Sequence, residues 1–255
     1  MRIAIQQMEA VAGDVAANLD RIAAAAEQAA AGGARLLVAP ELALTGYGAG
    51  EAIRSLAEPA DGPQMKRLQA LAVQHDIAIV AGFAERADGR LYNSLAMVAD
   101  DARPFVYRKT HLYADYERAL FTPGRTSIDM WIFHDLKLSF LICYDVEFPE
   151  NVRRLAKAGV EVVLVPTALP QGPFAAFIAT QVVPVRAFEN QVFVVYANHA
   201  GRDDRFAYAG LSCAAGPDGQ FLAAAPDDQP ALLFADIEPA AFAESRRANT
   251  YLADL

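Results

Sequence analysis

Cysteine and positive charge are both scarce in this sequence, and each scarcity excludes a class of protein. The 255 residues include two cysteines, Cys143 and Cys213. Two are too few for a disulfide framework, so we predict free thiols and a cytoplasmic location. Lysine and arginine number 22 against 31 aspartates and glutamates, which gives a net charge of −9. Because no basic stripe is present to bind a phosphate backbone, we expect neither nucleic acid nor a membrane as a partner.

Long apolar runs and ligand-binding motifs are also missing. No run reaches the ~18 residues of a membrane-spanning helix, and the opening residues, MRIAIQQMEA, lack the pattern of a signal peptide. No histidine or cysteine cluster has metal-ligand spacing, and Gly46-Tyr47-Gly48 lacks the third glycine of a dinucleotide-binding loop. We therefore expect no metal and no other cofactor.

The sequence does contain a regular alternation of strand and helix patterns. Arg2 to Gln7 has the pattern of a strand, and Val15 to Ala31 that of an alanine-rich helix capped by Asp14. Strand pairs follow, for example on either side of Asp88-Gly89. These patterns predict an α/β protein in which helices cover the sheets. Since no linker-like or repetitive stretch interrupts them, we interpret residues 1–255 as a single domain.

The stretch from Leu138 to Ala168 is the most informative part of the sequence. Its first strand ends on Cys143, and a helix pattern begins at Pro149. Groups at the carboxyl ends of strands form the sites of many α/β proteins. Because a helix N-terminus stabilises negative charge, we expect the Cys143 thiol to ionise readily. Cys213 lies in an apolar run and is interpreted as a packing residue.

Two charged residues elsewhere also follow strands directly. Glu41 comes after the strand pattern of Arg35 to Ala39, and Lys109 follows the strand pattern around Val106. A nucleophilic thiol needs a base that takes its proton and a cation that stabilises the oxyanion formed on attack. Glu41 and Lys109 are candidates for these two roles. The apolar neighbours of Glu41 predict a raised pKa for its carboxyl group.

Histidine is the usual base for a catalytic cysteine. The sequence has four histidines: His75, His111, His134 and His199. Each lacks a carboxylate or a second histidine at a diagnostic spacing, so most are interpreted as structural. His111 remains an alternative base for Cys143, because it lies two residues after Lys109. It belongs to the aperiodic stretch 109–127, which we expect to form a long functional loop.

The segments around Glu41, Lys109 and Cys143 form ordered motifs. They are Pro40-Glu41 with Leu44 to Tyr47, Tyr107 to Leu112 with Phe121 to Gly124, Leu141 to Asp145 with Phe148 to Glu150, and Arg186 to Gln191. These motifs resemble the nitrilase superfamily of carbon-nitrogen hydrolases, along nearly the whole chain. The resemblance implies an α-β-β-α sandwich that assembles into homodimers or larger homo-oligomers.

The resemblance also implies a role for each candidate in the cleavage of an amide. Glu41 corresponds to the general base, Lys109 to the oxyanion stabiliser and Cys143 to the nucleophile, with the backbone N–H of Tyr144 as a second oxyanion donor. Glu117 falls where the family has a second glutamate that orients substrate. Attack on the amide releases ammonia and leaves a thioester, which water converts to a carboxylic acid. Two alternatives stay open: transfer of the acyl group to an amine, and a binding protein without activity.

Among the relatives, the sequence is most similar to short bacterial aliphatic amidases, such as those that act on 5-aminopentanamide. In branches that resemble ω-amidases, the fourth residue after the nucleophile is an arginine able to hold a substrate carboxylate. Glu147 occupies that position here. If it faces the pocket, it favours neutral or ω-amino amides over acidic ones. The alternative is a salt bridge from Glu147 to Arg153 or Arg154.

Other candidates for contact with substrate are loop residues near strand ends. They are Tyr47, Tyr113, Phe148, Thr167 and Ala168, in addition to Glu147. Phe174 and Phe177 are also aromatic and would wall a pocket for a small molecule if they lie near it.

Overall fold

Two six-stranded mixed sheets make up the centre of the fold in a computed structural model that describes residues 1–100 and 103–255. The first sheet contains the early strands and the last one. These strands are β1 (Arg2–Gln7), β2 (Leu36–Val38), β3 (Ala78–Ala87), β4 (Arg90–Val98), β5 (Phe105–Arg108) and β12 (Ala231–Asp236). Their spatial order is β12-β1-β2-β3-β4-β5. The strands β1, β2 and β3 are parallel, and the outer strands run antiparallel to their neighbours.

The second sheet has the same plan and contains the six strands that lie between β5 and β12 in the sequence. These strands are β6 (Trp131–Phe133), β7 (Leu136–Phe140), β8 (Val162–Pro166), β9 (Phe193–Ala197), β10 (Cys213–Ala215) and β11 (Phe221–Ala224). Their order is β11-β10-β9-β8-β7-β6, with β7, β8 and β9 parallel. Parallel strands need crossover connections, and helices provide them in both halves of the chain.

The helices cover the outer faces of the sheets. Those of four or more residues are α1 (Val15–Ala31), α2 (Ala52–Leu56), α3 (Pro63–His75), α4 (Ala114–Leu120), α5 (Pro149–Lys157), α7 (Val183–Asn190) and α8 (Ala243–Ala248), and a short α6 (Ala175–Phe177) precedes α7. The bounds predicted for α1 are confirmed, since the Asp14 side chain accepts a hydrogen bond from Ala17 N at 3.0 Å and the helix ends at Gly32.

Three apolar layers hold the sandwich together. Between the sheets, Ile5 and Val38 of the first sheet share a buried cluster with Leu138 and Leu164 of the second. A second cluster joins α1 and α3 to the outer face of the first sheet. Side chains of α5 and α7 extend the central cluster over the second sheet. Because both faces of the innermost strands β2, β8 and β9 are covered, these three strands are buried and apolar along their whole length. The predicted α-β-β-α sandwich is confirmed.

Several predicted elements differ in the structure. The stretch 109–127 is not a continuous loop, because α4 occupies its middle; α4 has only seven residues, too few for a clear period. The stretch Tyr208 to Ala214 also has the pattern of a strand, but a strand forms only from Cys213 onwards, in β10. The stretch from the Pro170–Pro173 bend to about Asn190 has the pattern of one helix, but it contains a π-type turn at Ile178–Val182; Pro184 explains it, because proline lacks the N–H that continues a regular helix. Within the described ranges, no helix is both long and apolar enough to cross a bilayer.

The fold brings the ends of strands from both sheets to one place. Glu41 follows β2 and Lys109 follows β5 in the first sheet, whereas Cys143 follows β7 in the second. The two sheets also touch through a bridge between Met8, after β1, and His199, after β9. The candidate residues therefore meet where the carboxyl ends of parallel strands converge, the usual position of a site in such folds.

Candidate active site

Three charged side chains form a fully buried cluster at this junction. The ammonium of Lys109 lies 2.6 Å from Oε1 of Glu41 and 2.6 Å from Oε1 of Glu117. All three side chains are 0% exposed. Burial alone lowers the pKa of Lys109, but the two carboxylates outweigh it and raise that pKa well above its usual value. The ammonium therefore stays charged, as an oxyanion stabiliser must.

The two carboxylates of this cluster differ in how completely they are hydrogen-bonded. Both oxygens of Glu117 are engaged: Oε1 also accepts from the Tyr47 hydroxyl at 2.9 Å, and Oε2 accepts from Tyr113 N at 2.8 Å. Glu41 Oε1 accepts from Lys109 and from Asn93 Nδ2, the latter at 2.7 Å. Glu41 Oε2 has no partner among the described residues. One carboxylate oxygen is thus free to accept a proton.

The environment of Glu41 tunes this oxygen for proton transfer. Burial raises the pKa of Glu41 to about 7; the positive charge of Lys109 opposes this rise, and the negative charge of Glu117 adds to it. The raised pKa predicted from the sequence is confirmed. A base with a pKa near neutrality can both accept and return a proton in one turnover.

Cys143 lies at a strained turn immediately after β7. Its φ is +45°, a left-handed conformation that costs a non-glycine residue free energy, and a 3₁₀ turn over Cys143–Glu147 follows. The residue is 7% exposed. Burial raises the pKa of the thiol well above its usual value and the charge of Glu41 adds to this, while Lys109 and the backbone N–H of Ala168 lower it in part. The thiol is therefore harder to ionise than a free cysteine, contrary to the prediction made from the helix N-terminus.

Asp145 holds the Cys143 turn in shape, and sequence reasoning missed it although it lies in one of the motifs. Its carboxylate accepts hydrogen bonds from Ile142 N at 3.2 Å and from the Tyr107 hydroxyl at 2.9 Å. It also accepts from the Thr110 hydroxyl at 2.7 Å and from His111 N at 2.8 Å. Tyr107, Thr110 and His111 are close to Lys109 in the sequence, and Ile142 directly precedes Cys143. Asp145 thus connects the strand end that supplies the cation with the one that supplies the thiol.

Four aromatic rings, from the Cys143 turn and from the segment around His111, form a chain of contacts. His111 stacks on Phe148 with ring centres 4.0 Å apart, Phe148 meets Tyr144 at 4.9 Å, and Tyr144 meets Tyr113 at 5.2 Å. Tyr144 and Phe148 are half-buried, and Tyr113 is 43% exposed. These four residues are here called the aromatic rim. The Tyr144 N–H lies in the first turn of the 3₁₀ helix, where N–H groups lack intrahelical acceptors.

The structure does not favour His111 as the base. Its Nδ1 is 2.8 Å from Asp145 Oδ1 and 2.9 Å from the Thr110 hydroxyl. A ring nitrogen bound to Asp145 orients the imidazole within the aromatic rim. The charge of Glu41 acts directly on the Cys143 thiol, so Glu41 stays the predicted base.

Glu147 is half-buried at the end of the 3₁₀ turn. In the described part of the chain its carboxylate forms no ion pair; Arg153 pairs with Glu189 instead, at 3.9 Å, and Arg154 donates to Asn151. The alternative of a salt bridge to Arg153 or Arg154 is therefore wrong. Burial raises the pKa of Glu147, and the charges of Lys109 and Arg186 partly oppose this.

The remaining predicted contact residues fall into two groups. Tyr47 and Thr167 are buried. The Tyr47 hydroxyl donates to Glu117, and the Thr167 hydroxyl donates to the Val165 carbonyl, so both residues stabilise the structure around the site. Ala168 is buried beside the Cys143 thiol. Direct contact of these three with substrate stays a prediction.

Two further aromatic residues are largely exposed. Phe174 and Phe177 are 70% and 60% exposed, and the structure leaves both on the surface of the chain. A surface cleft of about 430 Å³ also lies away from the candidate residues, between Gly159 and the C-terminal segment around Asn249.

Comparison with known proteins gives a consistent result. Residues 2–247 match the sequence model of the family described as carbon-nitrogen hydrolase. A hydrolase encoded in the pqqF 5′ region of Pseudomonas protegens is 43% identical over 259 residues, covering 100% of this chain and 88% of that protein. An (R)-stereoselective amidase of a Pseudomonas species is 39% identical, with 90% of this chain and 82% of the relative covered.

The fold has similar solved structures. An amidase of a Nesterenkonia species superimposes with a TM-score of 0.89 at 33% identity, covering 100% of this chain and 93% of that one. Another structure of that amidase, with a TM-score of 0.86 and complete coverage of both chains, carries acrylamide joined by Michael addition to its active-site cysteine. That cysteine makes a nucleophilic thiol an established feature of a similar fold.

Proposed function

The chain belongs to the carbon-nitrogen hydrolase family of the nitrilase superfamily and is a hydrolase of carbon-nitrogen bonds; from this we propose that it hydrolyses small linear amides, neutral or with an ω-ammonium group, through a thioester on Cys143. A substrate such as 5-aminopentanamide combines both features: a primary amide at one end and a positive charge at the other.

The observation that carries the proposal is the unpartnered Oε2 of Glu41. A buried carboxylate oxygen without a hydrogen-bond donor is costly, and it persists here beside a buried thiol and an ammonium. An acceptor left free at this position is available to take the Cys143 proton. The raised pKa of Glu41, about 7, supports the same role.

The first half of the proposed reaction forms the thioester. Glu41 Oε2 takes the Cys143 proton as the sulfur attacks the carbonyl carbon of the amide. The ammonium of Lys109 and the backbone N–H of Tyr144 stabilise the negative oxygen of the tetrahedral intermediate. Glu41 then gives its proton to the amide nitrogen, the C–N bond breaks, and ammonia leaves.

The second half returns the enzyme to its starting state. Glu41, now ionised, takes a proton from water, and the hydroxyl attacks the thioester carbonyl. The second tetrahedral intermediate collapses with breakage of the C–S bond, the proton on Glu41 passes to the sulfur, and a carboxylic acid is released. Water and amide are consumed and acid and ammonia are produced, so the cycle needs no further reactant.

Glu147 supports the proposed substrate class. Its half-buried carboxylate lacks an ion-pair partner in the described residues, and the charge of Lys109 acts on it, so it lies within electrostatic range of the cluster. A cationic group on the substrate would provide the missing partner, whereas a carboxylate would add repulsion. The expected order of substrates is therefore ω-amino amides, then neutral amides, then ω-carboxy amides.

The test is a panel of amides matched in chain length with an amino, a methyl or a carboxyl end, assayed for ammonia and for the free acid. We expect kcat/KM to be highest for the amino series and to fall about tenfold or more for it in Glu147→Gln, which corresponds to ~1.4 kcal/mol. Glu150→Gln is the matched control, since Glu150 is exposed on the same segment.

Each outcome of the panel has a clear meaning. A preference for carboxylate-bearing amides, or an equal effect of Glu147→Gln on all three series, contradicts the substrate class. Conjugates formed with an added amine in place of free acid indicate acyl transfer. No turnover of any amide, with Cys143→Ala as the blank, rejects the proposed reaction.

A further inference from the structure

His199 lies where the two sheets meet, beside the backbone of Glu41. It follows β9 and bridges to Met8 at the end of β1, so its main chain joins the second sheet to the first. The residue is fully buried. Its Nε2 is 2.7 Å from the carbonyl oxygen of Glu41, and its Nδ1 is 3.2 Å from that of Met8. Two acceptors thus face one imidazole ring.

The neighbours decide which nitrogen carries the proton. Burial lowers the pKa of His199, against the opposing effects of the two carbonyls and of Asp203. The neutral ring, with a single N–H, is therefore the form present at neutral pH. The Met8 carbonyl already accepts from Ala200 N at 2.8 Å. We assign the proton to Nε2, where it donates to the Glu41 carbonyl.

The backbone of Glu41 is held by the second sheet on both sides. Its carbonyl accepts from His199, and its N–H donates to the Thr167 carbonyl at 3.4 Å. Thr167 is fixed in turn, because its N–H donates to Ala197 O at 2.8 Å. Cys143 ends a strand of that same sheet. The second sheet therefore determines where Glu41 stands relative to the thiol.

We propose that His199 is a positioning residue, which holds the free Oε2 of Glu41 towards the Cys143 thiol by donating to the Glu41 carbonyl. The inference rests on the proposed role of Glu41 as the base. The next residue, Leu42, has a φ of +47°, so the turn is strained and needs such a restraint. Loss of the bond lets the turn relax, which slows proton transfer but leaves the aromatic rim unchanged.

The kinetic test compares His199→Leu with His199→Gln, because glutamine keeps an N–H donor and leucine has none. A displacement of about 1 Å costs about 10²-fold in rate, so we expect His199→Leu to lower kcat by roughly that factor with little change in KM. His199→Gln should recover most of the loss.

A second readout does not depend on amide turnover. The rate of Cys143 alkylation by iodoacetamide, followed by mass spectrometry across pH, reports how well Glu41 accepts the thiol proton. The titratable groups that face Glu41 are Lys109, Glu117 and Cys143. Those that face His199 are Asp203 and Tyr208. Both variants leave all of these groups unchanged. We expect slower alkylation near pH 7 in His199→Leu and a profile like that of the wild type in His199→Gln.

The variant Gln7→Met distinguishes a positioning role of His199 from a general effect on stability. Gln7 is buried and also joins the sheets, since its side chain accepts from Ser212 N at 2.9 Å and donates to Asp227 O at 2.8 Å, without contact to Glu41. Either of two results would overturn the inference. One is a loss of kcat in Gln7→Met as large as that in His199→Leu for an equal loss of Tm. The other is a His199→Leu variant that keeps the wild-type kcat and alkylation profile. Failure of the proposed function is distinct, because the wild type itself would then release no ammonia.

Discussion

The site is built on two strained turns that look alike but are held in different ways. Leu42, after Glu41, and Cys143 have φ values of +47° and +45°. The Cys143 turn is held by Asp145, two residues further on, which accepts from Ile142 N at 3.2 Å. In the Glu41 turn, Gly46 N donates to the Leu42 carbonyl at 2.8 Å, and the backbone of Glu41 itself bonds to Thr167 and His199, which follow strands of the second sheet.

The Glu41 turn also depends on space provided by a distant glycine. A Cβ added to Gly82 would lie 2.2 Å from Leu42 N and 2.6 Å from Glu41 Cα. Those separations are far inside van der Waals contact, so only glycine fits. The Cys143 turn is thus held largely through one nearby carboxylate, that of Asp145, whereas the backbone of Glu41 is held by residues of the second sheet and by the space at Gly82. The following predictions test this difference.

The largest effect is expected from removing the reactive group of either turn. We expect Cys143→Ala and Glu41→Gln each to reduce kcat/KM by about 10⁶-fold, the scale seen when one member of a catalytic unit is lost. Because the two turns form one unit, the double variant should be no worse than the single ones. Ammonia release measures the rates. A further loss in the double variant would mean that the turns act independently.

The next largest effect is expected from Gly82→Ala, which disturbs the Glu41 turn alone. The forced displacement should reduce kcat by about 10²-fold and lower the free energy of unfolding by about 2 kcal/mol through overpacking. Urea denaturation and amidase assays measure the two effects. Gly172→Ala is the control, because a Cβ at Gly172 would meet nothing within 4 Å. Equal effects of both substitutions would contradict the importance of this space.

Asp145→Asn disturbs the Cys143 turn and should reduce stability more than activity. An amide has one acceptor oxygen where the carboxylate has two, so the donors to one of the two oxygens lose their acceptor: Tyr107 and Ile142 for Oδ2, or Thr110 and His111 for Oδ1. We expect the free energy of unfolding to fall by about 3 kcal/mol and kcat to fall about tenfold. The exposed Asp115 provides the control variant, Asp115→Asn, which should change neither quantity.

The smallest predicted effect is a shift in pH dependence. Since the ionised form of Glu41 is the base and its pKa is about 7, kcat/KM should fall about tenfold per pH unit below 7. Asn93 donates to the ionised carboxylate of Glu41, so Asn93→Leu should raise the pKa of Glu41 and move the acid limb of the pH–rate profile to higher pH. Asp145→Asn should leave the limb where it is. If the acid limb moved in Asp145→Asn and not in Asn93→Leu, the assignment of this limb to Glu41 would be wrong.

The sequence predicts the segments in which structure is locally determined. The bounds of α1 follow from its cap and its glycine stop, and the position of Cys143 follows from an apolar strand that ends before Pro149. Glu41 and Lys109 were identified as candidates from their positions after strands, and the family resemblance gave them roles. The protonated state of the thiol was missed, because burial of Cys143 is a property of the assembled fold.

Residues that act across the fold were equally out of reach of sequence patterns. Nothing in the segment around Gly82 indicates that it packs against the Glu41 turn. His199 has no partner at a diagnostic spacing, since its acceptors are backbone carbonyls that any residue carries. Asp145 was visible in a motif, but its donors come from 107–111 and 142, and only their convergence in space reveals its function.

The slight exposure of Cys143, 7% beneath the aromatic rim, has a consequence for its chemistry outside catalysis. A thiol that is protonated at rest and screened by bulky rings reacts slowly with peroxides and with large electrophiles. We therefore expect wide reagents to modify Cys143 more slowly than narrow ones of the same electrophilicity.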